Sequence, residues 1–391
     1  MERIEDSICA IDKMRASKIK RSKYSVALIA ASSTAAKVFT KNKIRAAPLD
    51  VTAANLASAG GRLEGVIANS GCANAYTGSQ GIEDARWMAG LLASHLGVEA
   101  EKIGVASTGV IGRYLDRDLT ADLFSEAKAR LRSDLGASQE ATRGVMTTDT
   151  VVKEIAVEHG GFRVAGITKG AGMIEPNMAT MLTFLYTDAK IQQEVLRECL
   201  TKAVDESFNM LIVDGDTSTN DMVLITATGK VDADLGHFKE ALSFVCTELA
   251  KMMAKDGEGA TKFVEMQVIG ARNREDASMA AKTIMRSSLV KTAIFGSDPN
   301  WGRIVAAAGR SGADLDPEKI TLSISGSRQN GEVFLVKEGE IVDGVLEEAE
   351  DTMKSDEILI RLDLGLGEGK ARAFGCDLSY DYVKINSEYT S

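Results

Sequence analysis

The sequence predicts an α/β protein built of layered, mixed sheets. Short apolar runs bounded by turn residues alternate with amphipathic helical stretches along the 391 residues. Their order does not settle into a regular βαβ repeat, which favours mixed sheets over a parallel doubly wound one. The 36 glycines against 4 prolines favour many tight turns over extended linkers.

Taken in order, Tyr24–Ala30, Gly65–Asn69 and Ile103–Ser107 read as short buried strands. Glu83–Leu96 reads as a helix with Trp87, Met88, Leu91, Leu92 and His95 on one face. Ala189–Phe208 repeats the pattern with Val195, Leu196, Cys199, Ala203 and Val204, and Phe238–Met253 gives a third stripe. Strand patterns return at Ile358–Leu362 and at Tyr382–Ile385, and Gly365–Lys370 between them reads as a hairpin turn. No linker composition divides the chain, so residues 1–391 are expected to form a single catalytic unit.

Composition narrows the function classes. A formal charge of −10 lacks the basic footprint that a nucleic acid or an anionic membrane requires, leaving a polar small molecule as the expected partner. Cys9, Cys72, Cys199, Cys246 and Cys376 are scattered, odd in number and free of CxxC spacing. That pattern fits reduced thiols better than disulfides or a metal site. No apolar run nears the ~18–20 residues of a membrane span, and the charged start Met1–Asp6 carries no signal-peptide pattern. A cytoplasmic location is the expectation.

Chemistry is sparse. His95, His159 and His237 are the only histidines, and none lies in a recognisable catalytic setting, so a hydrolase or transferase would need another base. Asp214–Asp221 opens like a calcium loop but has Thr219 and Ile225 where Gly and Glu are required. It reads better as a turn organised by its own side chains. Ser107-Thr108-Gly109 after a strand could hold an oxyanion with an amide and a hydroxyl, or be a common turn. Lys169 and Glu258 could orient a charged substrate or be ordinary solvated residues. The segment Glu175–Leu182 puts a small residue before Thr180 just past a Gly- and Pro-containing bend. Cleavage there would give Thr180 its own α-amine as base, the pairing of N-terminal nucleophiles. Periodicity equally permits a plain strand, with Met178, Thr180, Leu182 and Phe184 on one face.

In combination these motifs resemble the ornithine acetyltransferase family, also called the arginine biosynthesis bifunctional protein ArgJ family. The likeness runs in register through Val38–Thr40, Ala46–Pro48, Asn69–Ala75, Ser107–Gly112, Met146–Thr150, Lys169–Leu182, Asp214–Asp221, Asp256–Lys262, Asp298–Arg303, Gly375–Leu378 and Tyr380–Asn386. It implies self-cleavage between Ala179 and Thr180 into an α chain, 1–179, and a β chain, 180–391, which stay together as α2β2. It also implies acetyl transfer from N2-acetylornithine to glutamate through Thr180, with Thr108 and Gly109 as oxyanion donors. Thr147, Lys169, Thr180, Glu258, Asn386 and Ser391 fall on the substrate-contacting positions. No metal or bound cofactor is implied.

The chain departs from the family at two places: the N-terminal stretch lacks paired glycines, and Cys72 stands where Asn is more usual. Ser391 replaces a frequent threonine but keeps the hydroxyl. Acetyl-CoA as a second acetyl donor is left open by these motifs. So are two rival readings: a self-processing amidase or aminopeptidase, and a non-catalytic amino-acid-binding protein that is never cut.

Overall fold

The structure, a computed structural model, describes residues 1–5, 7–175, 181–328 and 331–388. It divides into two compact units, Met1–Asn209 with Asp216–Leu249, and Met210–Gly215 with Ala250–Tyr389.

The first unit holds strands β1 (Glu2–Ile4), β2 (Arg15–Arg21), β3 (Tyr24–Phe39), β4 (Arg62–Cys72), β5 (Ile103–Val110), β6 (Lys153–His159), β7 (Phe162–Lys169) and β8 (Leu182–Ala189). After β9 (Leu211–Ile212), which belongs to the second unit, it is completed by β10 (Met222–Val231). These strands form a mixed sheet in the order β1-β6-β7-β8-β10-β3-β4-β5, with β2 paired to β3. β8 and β10 run parallel, as do β4 and β5, and the other pairs are antiparallel.

Strand β3 spans both parts of this sheet. Its first half pairs with β2 and β4, the register shifts between Ala30 and Ser33, and its second half pairs with β10. Such an irregularity is where a strand can bend, and residues of both parts share one core. Ala27 and Ile29 share that core with Ala68, Ala106, Ile167, Phe184 and Leu224, together with Ala141 of helix α4 (Leu135–Val145). Alternation sends Val26 and Leu28 the other way, against Met88 and Leu92 of α2 (Gly78–Leu96) and Phe124 of α3 (Arg117–Ala129). Each such fully buried side chain contributes about 1.5–3 kcal/mol.

The remaining helices of this unit are α1 (Ala47–Ser58), α5 (Gln193–Glu206) and α6 (Leu235–Lys255), whose last turns belong to the second unit. α6 lies so close to the outer face of β7 that a Cβ added at Gly166 would sit 2.8 Å from Leu249 Cδ1. The result is sheet and helices in layers, the layered α/β architecture expected, with α4 in the core between parts of the sheet. Local signals set the ends: Asp116 caps α3 by accepting the Leu119 amide, and Asp134 caps α4 by accepting that of Ala137.

In the second unit, β9 joins β11 (Phe263–Ala271), β12 (Thr321–Gly326), β13 (Val333–Lys337), β14 (Glu340–Ile341), β15 (Glu357–Asp363) and β16 (Gly369–Cys376) in the order β14-β13-β12-β15-β11-β16-β9. Helices α7 (Arg274–Arg286), α8 (Ser288–Phe295), α9 (Trp301–Gly309), α10 (Leu346–Met353) and α11 (Tyr380–Glu388) complete it. One face of the sheet, with Val264, Met266, Leu322, Ile360 and Ala373, packs against Ile284 of α7 and Ile304 of α9. In β11 the intervening Glu265 and Gln267 face the other way, Glu265 pairing with Lys251 at 2.9 Å.

Four sequence expectations need correction. Tyr382–Ile385 is helical, not extended, because Ser379 Oγ accepts the Tyr382 amide and starts α11. Gly365–Lys370 is no hairpin turn: β15 and β16 lie on opposite sides of β11, and the glycine run passes over the end of β11. There the Leu366 and Gly367 amides reach the Gly270 carbonyl at 2.7 and 3.0 Å. His95 is solvent-exposed at the edge of its helical stripe, while Met88 and Leu92 are buried. α5 also starts later than expected, since Ala189 closes β8.

Candidate active site

The candidate oxyanion turn lies at the C-terminal end of β5. Gly109 stands opposite Gly71 of β4, and its φ of +130° is one that L side chains rarely adopt. A Cβ there would fall 2.4 Å from the Gly71 carbonyl carbon and 2.6 Å from the Cys72 nitrogen, so the backbone approach demands glycine. Thr108 beside it is buried. Ser107 Oγ donates to Asn69 Oδ1 at 2.5 Å, and Asn69 Nδ2 donates to the Cys72 carbonyl at 2.9 Å, which fixes both strand ends. A rigid site of this type can present an amide and a hydroxyl to one oxygen.

Lys169 ends β7, paired with Leu182 at the start of β8, and is buried. Thr147 follows α4. A residue not singled out from sequence, Asp149, joins the two. Its Oδ2 accepts the Thr147 amide at 3.1 Å, and its Oδ1 accepts the Gly170 amide at 2.6 Å and Lys153 Nζ at 2.7 Å. Burial opposes ionisation of this carboxyl, but the charges of Lys153 and Lys169 and the hydrogen bonds from Lys153 and the Gly170 amide outweigh it, and the group stays below the usual carboxylate range. Asp149 and Lys153 side chains are both wholly buried. A lysine four residues after an aspartate looks like surface charge in sequence, and nothing local marks it otherwise.

Asp221 is a second acid to which sequence reading assigned no role of its own, although it closes the Asp214–Asp221 turn. It directly precedes β10, and its Oδ1 accepts the Met181 amide at 2.8 Å. Burial pushes its carboxyl well above the usual range, against the opposing pull of the Met181 amide, the Thr40 hydroxyl and the charge of Lys169. The available signal was an aspartate abutting the apolar run Met222–Ile225.

Glu258 and Asn386 meet in the second unit. Asn386 Nδ2 donates to Glu258 Oε2 at 2.8 Å and to the Tyr382 carbonyl at 3.1 Å. Gly259, at φ +69°, lets α11 come in: a Cβ there would lie 2.4 Å from the Tyr382 nitrogen. Ser379 Oγ donates to the Gly259 carbonyl at 2.5 Å, and Asp377 accepts the Thr261 and Lys262 amides at 2.8 and 3.0 Å. The Glu258 loop is therefore held by hydrogen bonds on several sides. Ala179, Thr180 and Ser391, with Pro176 of the bend before the expected cleavage point, lie outside the described residues. Among the described residues no group of His, Cys, Asp and Glu is placed to hold a metal. The five cysteines are free thiols, Cys9 half-buried and the others buried. No helix among the described residues is long and apolar enough to cross a membrane.

A bent mixed sheet with helices outside it and a Thr-Gly turn at the end of β5 defines a layered α/β protein with a candidate oxyanion site. The chain belongs to the ArgJ family, whose model matches residues 12–391. It is 52% identical to the glutamate N-acetyltransferase of Methanosarcina mazei over 100% of both chains. It is 51% identical to the arginine biosynthesis bifunctional protein ArgJ of Archaeoglobus fulgidus, covering 95% of this chain and 97% of that one. A chain of the crystal structure of the arginine biosynthesis bifunctional protein ArgJ from Bacillus halodurans is 40% identical, covering 53% of this chain and 98% of that chain, with a TM-score of 0.49.

Proposed function

We propose that this chain is a self-processing glutamate N-acetyltransferase of arginine biosynthesis that moves the acetyl group of N2-acetylornithine to glutamate. Identity of 52% over the full length of a relative bearing that name carries the reading. The retained Thr108-Gly109, Lys169 and Ala179-Thr180 set supports it.

In maturation the Thr180 hydroxyl attacks the Ala179 carbonyl carbon. The Ala179–Thr180 C–N bond breaks, the nitrogen takes up the proton, and water opens the resulting ester to a carboxylate and a free hydroxyl. In turnover the freed α-amine, whose ordinary pKa is about 7.7–8.0, accepts the hydroxyl proton as the oxygen attacks the acetyl carbonyl. Thr108 and Gly109 stabilise the oxyanion, each donor typically lowering the barrier by about 2.7–4 kcal/mol. The proton passes to the leaving amine, ornithine departs, and the α-amine of glutamate takes the acetyl group from the threonine ester. Ping-pong kinetics follow.

Lys169 pairs with the α-carboxylate shared by both amino acids, and Glu258 with the side-chain ammonium of ornithine. Thr147, Asn386 and Ser391 complete the substrate contacts. The two chains, 1–179 and 180–391, stay associated as a cytoplasmic α2β2 enzyme without metal or bound cofactor. Acetyl-CoA is a candidate second donor, tested by N-acetylglutamate formation from acetyl-CoA and glutamate.

The deciding experiment is direct. Purified protein should give two bands, the larger beginning Thr-Met-Leu-Thr, and Thr180→Ala should give one uncut, inactive chain. Transferase activity in uncut Thr180→Ala would overturn the reading.

A further inference from the structure

The acetyl-transfer scheme makes no use of Asp221, although the residue is only 1% exposed. Its Oδ1 accepts the Met181 amide at 2.8 Å, while Oδ2 has no hydrogen-bond partner among the described residues. The nitrogen it holds belongs to the peptide bond that joins Met181 to Thr180. Backbone bonds brace the arrangement: the Met222 amide donates to the Met181 carbonyl at 2.9 Å, and the Thr40 amide to the Asp221 carbonyl at 3.0 Å.

Asn220, next in the chain, grips the other side. Its Nδ2 gives one proton to the Ser107 carbonyl at 2.8 Å and the other to the Ala73 carbonyl at 2.6 Å, and its Oδ1 accepts the Thr219 hydroxyl at 2.6 Å. Ser107 is bonded directly to Thr108, and the Ala73 amide returns to the Val110 carbonyl at 3.0 Å. Two consecutive side chains thus hold the residue after Thr180 and the residue before Thr108. Strands β8 and β5 lie in the same sheet but are separated by β10, β3 and β4, so no ladder joins them directly.

We propose that Asn220 and Asp221 are positioning residues that fix the spacing between Met181, just before β8, and the Thr108–Gly109 turn. The inference rests on the roles proposed for Thr180, Thr108 and Gly109. Attack and oxyanion capture occur at one carbonyl, and misplacement by about 1 Å can cost about a hundredfold in rate. What Asp221 contributes is an acceptor of the right shape, which asparagine reproduces.

The test compares Asp221→Ala, Asp221→Asn, Asn220→Ala and the double alanine variant with Thr180→Ala by steady-state kinetics and by the rate of chain cleavage. Each single alanine variant should lose at least about tenfold in kcat, with KM for N-acetylornithine within about twofold. Asp221→Asn should stay within about threefold of the parent. The double variant should lose less than the product of the single losses, because both act on one spacing. Parental kcat in Asp221→Ala, equal damage in Asp221→Asn, or multiplying losses would overturn the proposal. Should Asp221→Ala fail to fold, Asn220→Ala and Asp221→Asn decide it: parental kcat in the first, or a tenfold loss in the second, rejects it. An active Thr180→Ala rejects the proposed function itself, whereas an inactive Thr180→Ala beside a normal Asp221→Ala rejects only the spacing role.

Discussion

Lys153 Nζ and Asp149 Oδ1 lie 2.7 Å apart with neither side chain exposed, and the same carboxylate binds the amides of Thr147 and Gly170. One buried acid therefore joins the loop after α4 to the end of β7 that carries Lys169. Removing one member of such a pair leaves an uncompensated buried charge.

Lys153→Met should cost about 3–5 kcal/mol of unfolding free energy, measured in urea. Replacing both members, as Lys153→Met with Asp149→Asn, should recover part of that loss. A single variant as stable as the parent would show that the pair is solvated in solution.

At the oxyanion turn two substitutions should fail differently. Thr108→Val removes a donor and should lower kcat by about 10²–10³ with little change in KM. Gly109→Ala instead drives a Cβ to within 2.4 Å of the Gly71 carbonyl carbon at a φ of +130°, so the yield of folded protein should fall as well. Circular dichroism beside kinetics separates the two outcomes.

Asn386 holds Glu258 at 2.8 Å. Asn386→Ala should release that carboxylate and raise KM for N-acetylornithine about fivefold, the equivalent of one hydrogen bond of about 1 kcal/mol. Glu258→Gln should raise it in the same direction. Unchanged KM in both would remove this pair from substrate binding.

Asp221 should make stability fall as pH rises. Burial holds its carboxyl above the usual range. Between the unfolded value of about 3.9 and the folded one, the native chain binds more protons than the unfolded chain, at up to about 1.4 kcal/mol per pH unit. Asp221→Asn lacks this titration, so its stability should gain on the parent as pH rises above about 4. Parallel curves over that range would mean that the native carboxyl is ionised.

The layered α/β class, the strands at Tyr24, Gly65 and Ile103 and the stripes of α2, α5 and α6 were legible because each is written in the spacing of neighbouring residues. Tyr382–Ile385 was not, since four residues alternate as readily as they wind, and the Ser379 cap that decides lies outside them. The path of Gly365–Lys370 was equally hidden: a glycine run looks alike whether it joins paired strands or passes over β11. Of the candidate site, Thr108, Gly109, Lys169 and Glu258 stand where local reading can suggest a role, and Asn386 falls in a motif block of the family resemblance. Asp149 and Asp221 lie within such blocks too, but nothing in their neighbours tells a buried acid from a solvated one.

Local order determined most of the strands and helices and which hydroxyls and charges are available for chemistry. Tertiary structure decided which of them meet. Asn220 reaches Ser107 across 113 residues and Asp221 reaches Met181 across 40. Those hydrogen bonds exist only once the strands have assembled, because burial makes an unpartnered polar group or charge costly.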